Sequence, residues 1–352
     1  MFFKFLSIGI LIRFLIVVIS NYTSIEGNDI DAVAFFNRAV NFKWDNFDLF
    51  LTDSNIFVIF NYLIFSILGK SMLVGQFFCV IAWALSFYYL EEIIKKLNLP
   101  RNKVLLFYFL YCFSPASLFI TSSFLRESYQ LLLLNITLFH YLNYKENTRK
   151  VKYLFYILVL MLLLFLLHTA FIIIPFSFLI ILIFDKNRKS SSIFRIYPLL
   201  LISFSIIFYY LTKLELVQTI LEIDLLNSSS TYDSRANYVN YDAAINPFLR
   251  VIQYFFEPFP GRSFNIVDIV SYFENAFRFI VFFLIFKQLL RRRTNYTPSV
   301  FFGFLIIECF WALFTYNWGT SFRHHLPQLG LLLYSFFLLY ESKNRNTILN
   351  KV

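Results

Sequence analysis

Six short stretches of this chain carry side chains that could work on a charged substrate. Gly27-Asn28-Asp29-Ile30-Asp31-Ala32 holds two carboxylates at i and i+2, just past an apolar run. A carboxylate at a lipid–water boundary can take the proton of an attacking hydroxyl as a general base. Asp31 also stands before the helical pattern Ala32–Val40, where it would cap free N–H groups. Arg126-Glu127 opens an apolar run; its guanidinium could clamp phosphate oxygens bidentately, or snorkel to headgroups with Glu127 as its pair. His168 interrupts the apolar stretch Val151–Phe184 as a catalytic imidazole or a satisfied polar group. Arg262 sits on the stiff turn Glu257-Pro258-Phe259-Pro260-Gly261-Arg262. Arg323, His324 and His325 close a short donor-rich loop that starts at Asn317. Adjacent histidines leave a helix on different sides, so this loop suits phosphate or sugar better than metal. Arg13 is a charge inside the first apolar run and a functional candidate on that ground.

The elements that must position these residues are membrane helices. Of 352 residues, 59% are apolar and 15% charged, and mean hydropathy is +0.66. Several runs reach the roughly 18 residues needed to cross a hydrocarbon core about 30 Å thick. The net charge of +10 resides in short loops between apolar runs, which reads as topology signal rather than nucleic-acid binding. Cys79, Cys112 and Cys309 lie inside apolar runs without paired spacing, so neither a disulfide framework nor a metal site is indicated. No HExxH, GxSxG or GxGxxG arrangement occurs, and Gly69-Lys70-Ser71 lacks the upstream glycine of a P-loop. No cofactor is called for, and a divalent cation stays open.

The basic clusters Lys95/Lys96/Arg101/Lys103, Arg149/Lys150/Lys152, Lys186/Arg188/Lys189 and Arg291/Arg292/Arg293 fix the topology. They fall on one face only if the apolar run Ile56–Leu68, at about 13 residues too short to span comfortably, stays on the surface. Crossings are then expected near 3–20, 72–94, 104–122, 124–143, 152–167, 169–184, 194–212, 271–290, 298–316 and 326–341. The expectation is one all-α polytopic domain, 1–352, with about ten transmembrane helices and both termini cytoplasmic. A first outer loop at 21–71 carries surface helices. A second at 213–270 includes an interfacial helix at Leu214–Leu226. On this topology every candidate except the intramembrane Arg13 lies at the outer face. No internal repeat is visible, which speaks against a transporter built on repeats.

The N-terminal third resembles the GT-C superfamily of polytopic glycosyltransferases, which use polyprenyl-phosphate-linked sugars. The likeness lies in Leu11-Ile12-Arg13-Phe14-Leu15, then Asp31 with Phe35, Phe36 and Ala39. It continues in Ile67-Leu68-Gly69-Lys70-Ser71, and in Ser114-Pro115 ahead of Leu125-Arg126-Glu127-Ser128. The chain lacks the Asp-Glu pair common in that superfamily's first outer loop and has Phe where Tyr is frequent. The C-terminal part looks like Wzy-type oligosaccharide repeat-unit polymerases, as in O-antigen synthesis of lipopolysaccharide. Arg262 and the Gly319-to-His325 stretch stand for the outer-loop arginines of those enzymes.

The resemblance implies polymerisation of undecaprenyl-diphosphate-linked repeats into a surface polysaccharide at the outer face of a bacterial inner membrane. Asp31, Asp29 or His168 would be the base. Arg126, Arg262, Arg323, His324 and Arg13 would hold phosphate, supported by Glu127 and His325. Its partners would be lipid-linked glycans, membrane lipid and a chain-length regulator. A transferase of single sugars from a polyprenyl-monophosphate donor is the alternative within the class, and a flippase or other transporter the alternative outside it.

Overall fold

The computed structural model describes residues 1–22, 30–43, 55–97, 99–146, 151–168, 251, 254–255, 266–291, 299–314 and 318–338. Among them the chain is helical and contains no strand. The helices are α1 (Phe2–Tyr22), α2 (Ile30–Val40), α3 (Asn55–Leu68), α4 (Met72–Lys96), α5 (Arg101–Phe113) and α6 (Pro115–Ser122). They continue with α7 (Glu127–Glu146), α8 (Val151–Leu167), α9 (Ile266–Arg291), α10 (Ser299–Phe314), α11 (Trp318–His325) and α12 (Leu329–Leu338). The expected crossings at 169–184 and 194–212 lie outside the described residues, as do the Leu214–Leu226 helix, Asp29 and Arg262.

Among the described residues two helices, α1 and α4, are long and apolar enough to cross a membrane, and α5 with α6 adds a third if that bent pair is one span. Helices α8, α10 and α12 are apolar but shorter. α3 has 14 residues and rises about 21 Å, short of the ~30 Å core. Gly69, at φ 94°, ends α3 and turns the chain into α4; a side chain there would be strained in the left-handed region.

Side-chain pairings set the direction of the N-terminal helices. α1 runs against α4: Phe2 meets Phe87 (ring centroids 4.9 Å), and near the other end Asn21 Nδ2 donates to Gln76 Oε1 at 2.6 Å. α5 runs with α1, since Phe5 lies against Tyr108 and Arg13 reaches the Cys112 carbonyl. α7 runs with α4: Phe124 packs beside Gly75, and Lys96 Nζ donates to Asn143 Oδ1 at 2.7 Å at the far end. α8 turns back along α7, with His140 against Tyr156. The ends of α1, α6 and α8 and the starts of α4 and α7 therefore gather at one end of the bundle. Lys96 pairs with Glu146 at the opposite end.

The core is aromatic. Trp83, Phe87 and Tyr111 pack mutually with near-parallel rings, and Asn135 Nδ2 donates to Ser86 Oγ at 2.7 Å and to the Tyr111 hydroxyl at 2.9 Å. A buried amide in an apolar bundle must find such partners, because an unmet polar group costs about 1–3 kcal/mol.

The crossing read as continuous over 104–122 is broken by 44° between α5 and α6. Pro115 has no N–H to offer the Tyr111 carbonyl, and the Ala116 N–H turns to Glu274 Oε2 at 3.4 Å. The Cys112 carbonyl is left open, and Arg13 Nη1 and Nη2 donate to it at 3.2 Å. Ser114 restarts the helix, its Oγ accepting from the Ser117 N–H at 3.2 Å. Hydropathy counted the side chains correctly and missed the absent donor.

Candidate functional site

α2, α7 and α11 carry the site, and their first or last turns meet at the end of the bundle where α1 and α6 finish. Asp31 lies in the first turn of α2, Glu127 in the first turn of α7, and Arg323 in the last turn of α11. A carboxylate in a first turn is favoured by the unpaired N–H groups there, and a guanidinium in a last turn by the open carbonyls. Arg323 joins both acids. Its Nε and Nη2 donate to Glu127 Oε1 at 3.1 and 2.7 Å, and its Nη1 donates to Asp31 Oδ2. Glu127 is buried, and its Oε2 has no hydrogen-bond partner. The Asp31 side chain is 57% exposed, against 11% for Arg323.

Of the two readings of Arg126-Glu127, the one that pairs the neighbours does not hold: Glu127 bonds Arg323, 196 residues away in sequence. Arg126 faces α2, its guanidinium carbon 5.5 Å from the Phe35 ring. Phe35 is one turn beyond Asp31, so a single face of α2 docks on two guanidinium groups. Partial burial works to raise the Asp31 carboxyl, but Arg323, then Arg126 and Arg38, outweigh it and hold the group below the usual carboxylate range.

The histidines form the next layer. His168 follows α8 and lies edge-on to Trp311 at 5.0 Å, while His324 stacks on the same indole at 3.9 Å. The His168 and His324 rings are 6.1 Å apart. Burial, then His168, Arg323, Arg126 and His325, push His324 well below the usual imidazole range, so it is uncharged near neutrality. His325 points elsewhere. Its Nδ1 is 2.7 Å from Glu308 Oε2 and its Nε2 is 3.2 Å from the Tyr254 carbonyl.

Six of the sequence candidates thus come together: Asp31, Arg126, Glu127, His168, Arg323 and His324. Compared with family models, curated proteins and solved structures, the chain has no match. Its site therefore rests on its own geometry.

Two candidates fall outside this group. Arg13 is fully buried near the middle of α1, with Trp83 against its guanidinium at 3.4 Å. Besides the Cys112 carbonyl it donates to Thr121 Oγ1 and Ser117 Oγ at 2.7 Å and to the Gly9 carbonyl at 3.1 Å. All five N–H groups are thereby used inside the protein, so the structure gives Arg13 to the α5–α6 break, not to a phosphate. Gly9 makes room for Trp83, since a Cβ there would come within 2.4 Å of the indole. His325 belongs to a second, buried ionic group, where Arg278 Nη2 donates to Glu308 Oε1 at 3.1 Å and to the His325 carbonyl at 3.5 Å. Glu274, one turn before Arg278 on α9, reaches the α5–α6 break through Ala116.

The sequence reading passed over Glu274, Arg278 and Glu308. The signal was present: three ionisable residues inside apolar runs, each a functional candidate by the rule that singled out Arg13.

The two clusters differ chemically. Both ring nitrogens of His325 face acceptors, so both bonds form only when the pair holds an extra proton, on the imidazole or on Glu308. In the Asp31 cluster, two acids stand against two guanidiniums, with the uncharged His324 and the His168 ring beside them. It can bind an anion, stabilise a leaving phosphate and accept a proton.

Proposed function

We propose that this chain is a membrane glycosyltransferase that polymerises undecaprenyl-diphosphate-linked oligosaccharide repeats at the outer face of a bacterial inner membrane. One observation carries the reading. An exposed carboxylate (Asp31), two arginines (Arg126 and Arg323) and two histidines (His168 and His324) from distant segments meet at one end of the helical bundle. Glycosyl transfer between lipid-linked units calls for a base and for cations at the leaving diphosphate, both at a membrane boundary. The acceptor hydroxyl attacks the anomeric carbon, the bond to the diphosphate breaks, and the electron pair leaves with the diphosphate. Asp31 is the base we favour, with His168 and Asp29 as alternatives. Arg126 and Arg323, joined by Arg262 in our reading, offset the charge that develops on the leaving group, usually the largest contribution in such reactions. The about ten crossings and cytoplasmic termini read from the loops belong to this proposal, as does a chain-length regulator as partner.

A second reading, a lipid-linked-glycan flippase, draws on two specific features. They are the broken helix α5–α6 and the buried group Glu274, Arg278, Glu308 and His325. Proteoliposomes containing the purified protein and lipid-linked oligosaccharide separate the readings. A ladder of longer glycans, lost in Asp31→Asn while single repeats accumulate, is the expected result. Movement of the labelled lipid across the bilayer without any ladder would overturn it in favour of the flippase. Products extended by one residue, and only with a polyprenyl-monophosphate sugar present, would point to a single-sugar transferase.

A further inference from the structure

We infer that Asp31 is an internal anion seated where the substrate's diphosphate binds Arg323, and that diphosphate binding frees Asp31 to act as the base. The inference deepens the proposed glycosyl transfer and rests on it. Arg323 is held unequally by its two acids. Glu127 is buried and takes Nε and Nη2 together, a two-point grip that fixes the plane of the guanidinium. Asp31 takes Nη1 from the solvent side, and more than half of its side chain is exposed. An anion from solution can replace Asp31 without opening the interior, whereas replacing Glu127 would strand a buried charge.

The surroundings favour that exchange. Arg126, held at Phe35 one turn along α2, is a second guanidinium beside the same carboxylate. With Asp31 displaced, Arg323 and Arg126 face the incoming group while Glu127 holds Arg323 from the buried side. A diphosphate carries more charge and more acceptor oxygens than a carboxylate and suits a guanidinium better. Asp31 is a weak base while its charge is spent on Arg323. Once the diphosphate occupies Arg323, that attraction is satisfied elsewhere and a new negative group lies nearby, so the carboxylate's affinity for a proton rises. The acceptor O–H then passes its proton to Asp31 as its oxygen bonds the anomeric carbon; the anomeric C–O bond breaks, and the diphosphate keeps the electron pair while Arg323 offsets its charge. The base is available only when a donor is bound.

Binding of inorganic pyrophosphate to the full-length protein in nanodiscs, measured by calorimetry, tests the inference without any transfer. Asp31→Asn removes the competing charge and should tighten pyrophosphate roughly two- to fivefold, the range expected for a partly exposed ion pair. Asp31→Ala should move in the same direction, which covers a folding failure in either variant. Arg323→Lys should weaken pyrophosphate by about tenfold as the planar fork is lost. Unchanged or weaker binding in Asp31→Asn and Asp31→Ala overturns the inference. The transfer assay reads separately: tighter pyrophosphate in the Asp31 variants, with no glycan ladder from the unmutated protein, sustains the anion seat and sinks the polymerase reading. A normal ladder with unchanged pyrophosphate binding does the reverse.

Discussion

Replacing Arg278 by Met asks whether the buried ionic group is a fastener or part of a water-filled path. Arg278 and Glu308 bond at 3.1 Å, with side chains 6% and 0% exposed, so almost no solvent screens them. Removing one member of a buried pair typically costs about 3–5 kcal/mol, because the remaining charge is left without its partner. Glu308 keeps the His325 imidazole at 2.7 Å, which places the expected loss near the lower end, about 3 kcal/mol. If the group lined water instead, the loss would be about 0–1 kcal/mol, as for exposed pairs. Glu308→Leu in the Arg278→Met background removes the stranded charge, so the double variant should lose less than the sum of the singles by roughly 2–3 kcal/mol. Equilibrium unfolding in mixed micelles, followed by far-UV circular dichroism, measures all four proteins. A loss under about 1 kcal/mol in Arg278→Met, with additive effects in the double variant, would refute the fastener argument and strengthen the flippase reading.

The remaining predictions concern other parts of the bundle. Arg13→Leu should destabilise by roughly 1–3 kcal/mol or more, because the Cys112 carbonyl loses its donors at the α5–α6 break; the same unfolding assay reads it. The Asp31 carboxyl is held below its ordinary range, so its contribution to docking α2 is present above about pH 4 and fades as pH falls through the lower folded value. Acid titration of the melting temperature should show that loss in the wild type and not in Asp31→Asn. Cysteine labelling at Leu97, Asn147, Ser190 and Thr294 should report one side of the membrane and at Ser230 the other. A label outside at Leu97 together with one inside at Ser230 would overturn the assigned topology.

How much of this was legible from sequence depends on what each signal measures. Charges that interrupt apolar runs stand out, which is why Asp31, Arg126, His168 and Arg323 could be named before any contact between them was known. Their pairing was not legible. Glu127 follows Arg126 directly, yet successive positions on a helix diverge by about 100°, so the adjacent acid turns to α11 while Arg126 turns to α2. The same divergence separates His324 from His325, and there the sequence argument anticipated it. The α5–α6 break was half visible: Ser114-Pro115 stood in the sequence, but an averaged hydropathy registers side chains and not a missing N–H. Glu274, Arg278 and Glu308 interrupt apolar runs just as visibly, by the rule that singled out Arg13, and those runs make the pairing of Arg278 with Glu308 necessary.

α11 brings the two ionic groups within one turn of each other, and their exposure assigns them different work. Around Glu308 every polar contact is to another buried group, and an anion could enter only by separating charges that water does not reach. Such an arrangement resists exchange and suits holding α9, α10 and α11 in register. At Arg323 one carboxylate is buried and grips two N–H groups while the other is exposed and grips one. The weaker and wetter contact is the one a substrate anion can replace at small cost. In the proposed transfer the diphosphate therefore belongs at Arg323, with the Glu308 group as the rigid seat on which α11 presents it.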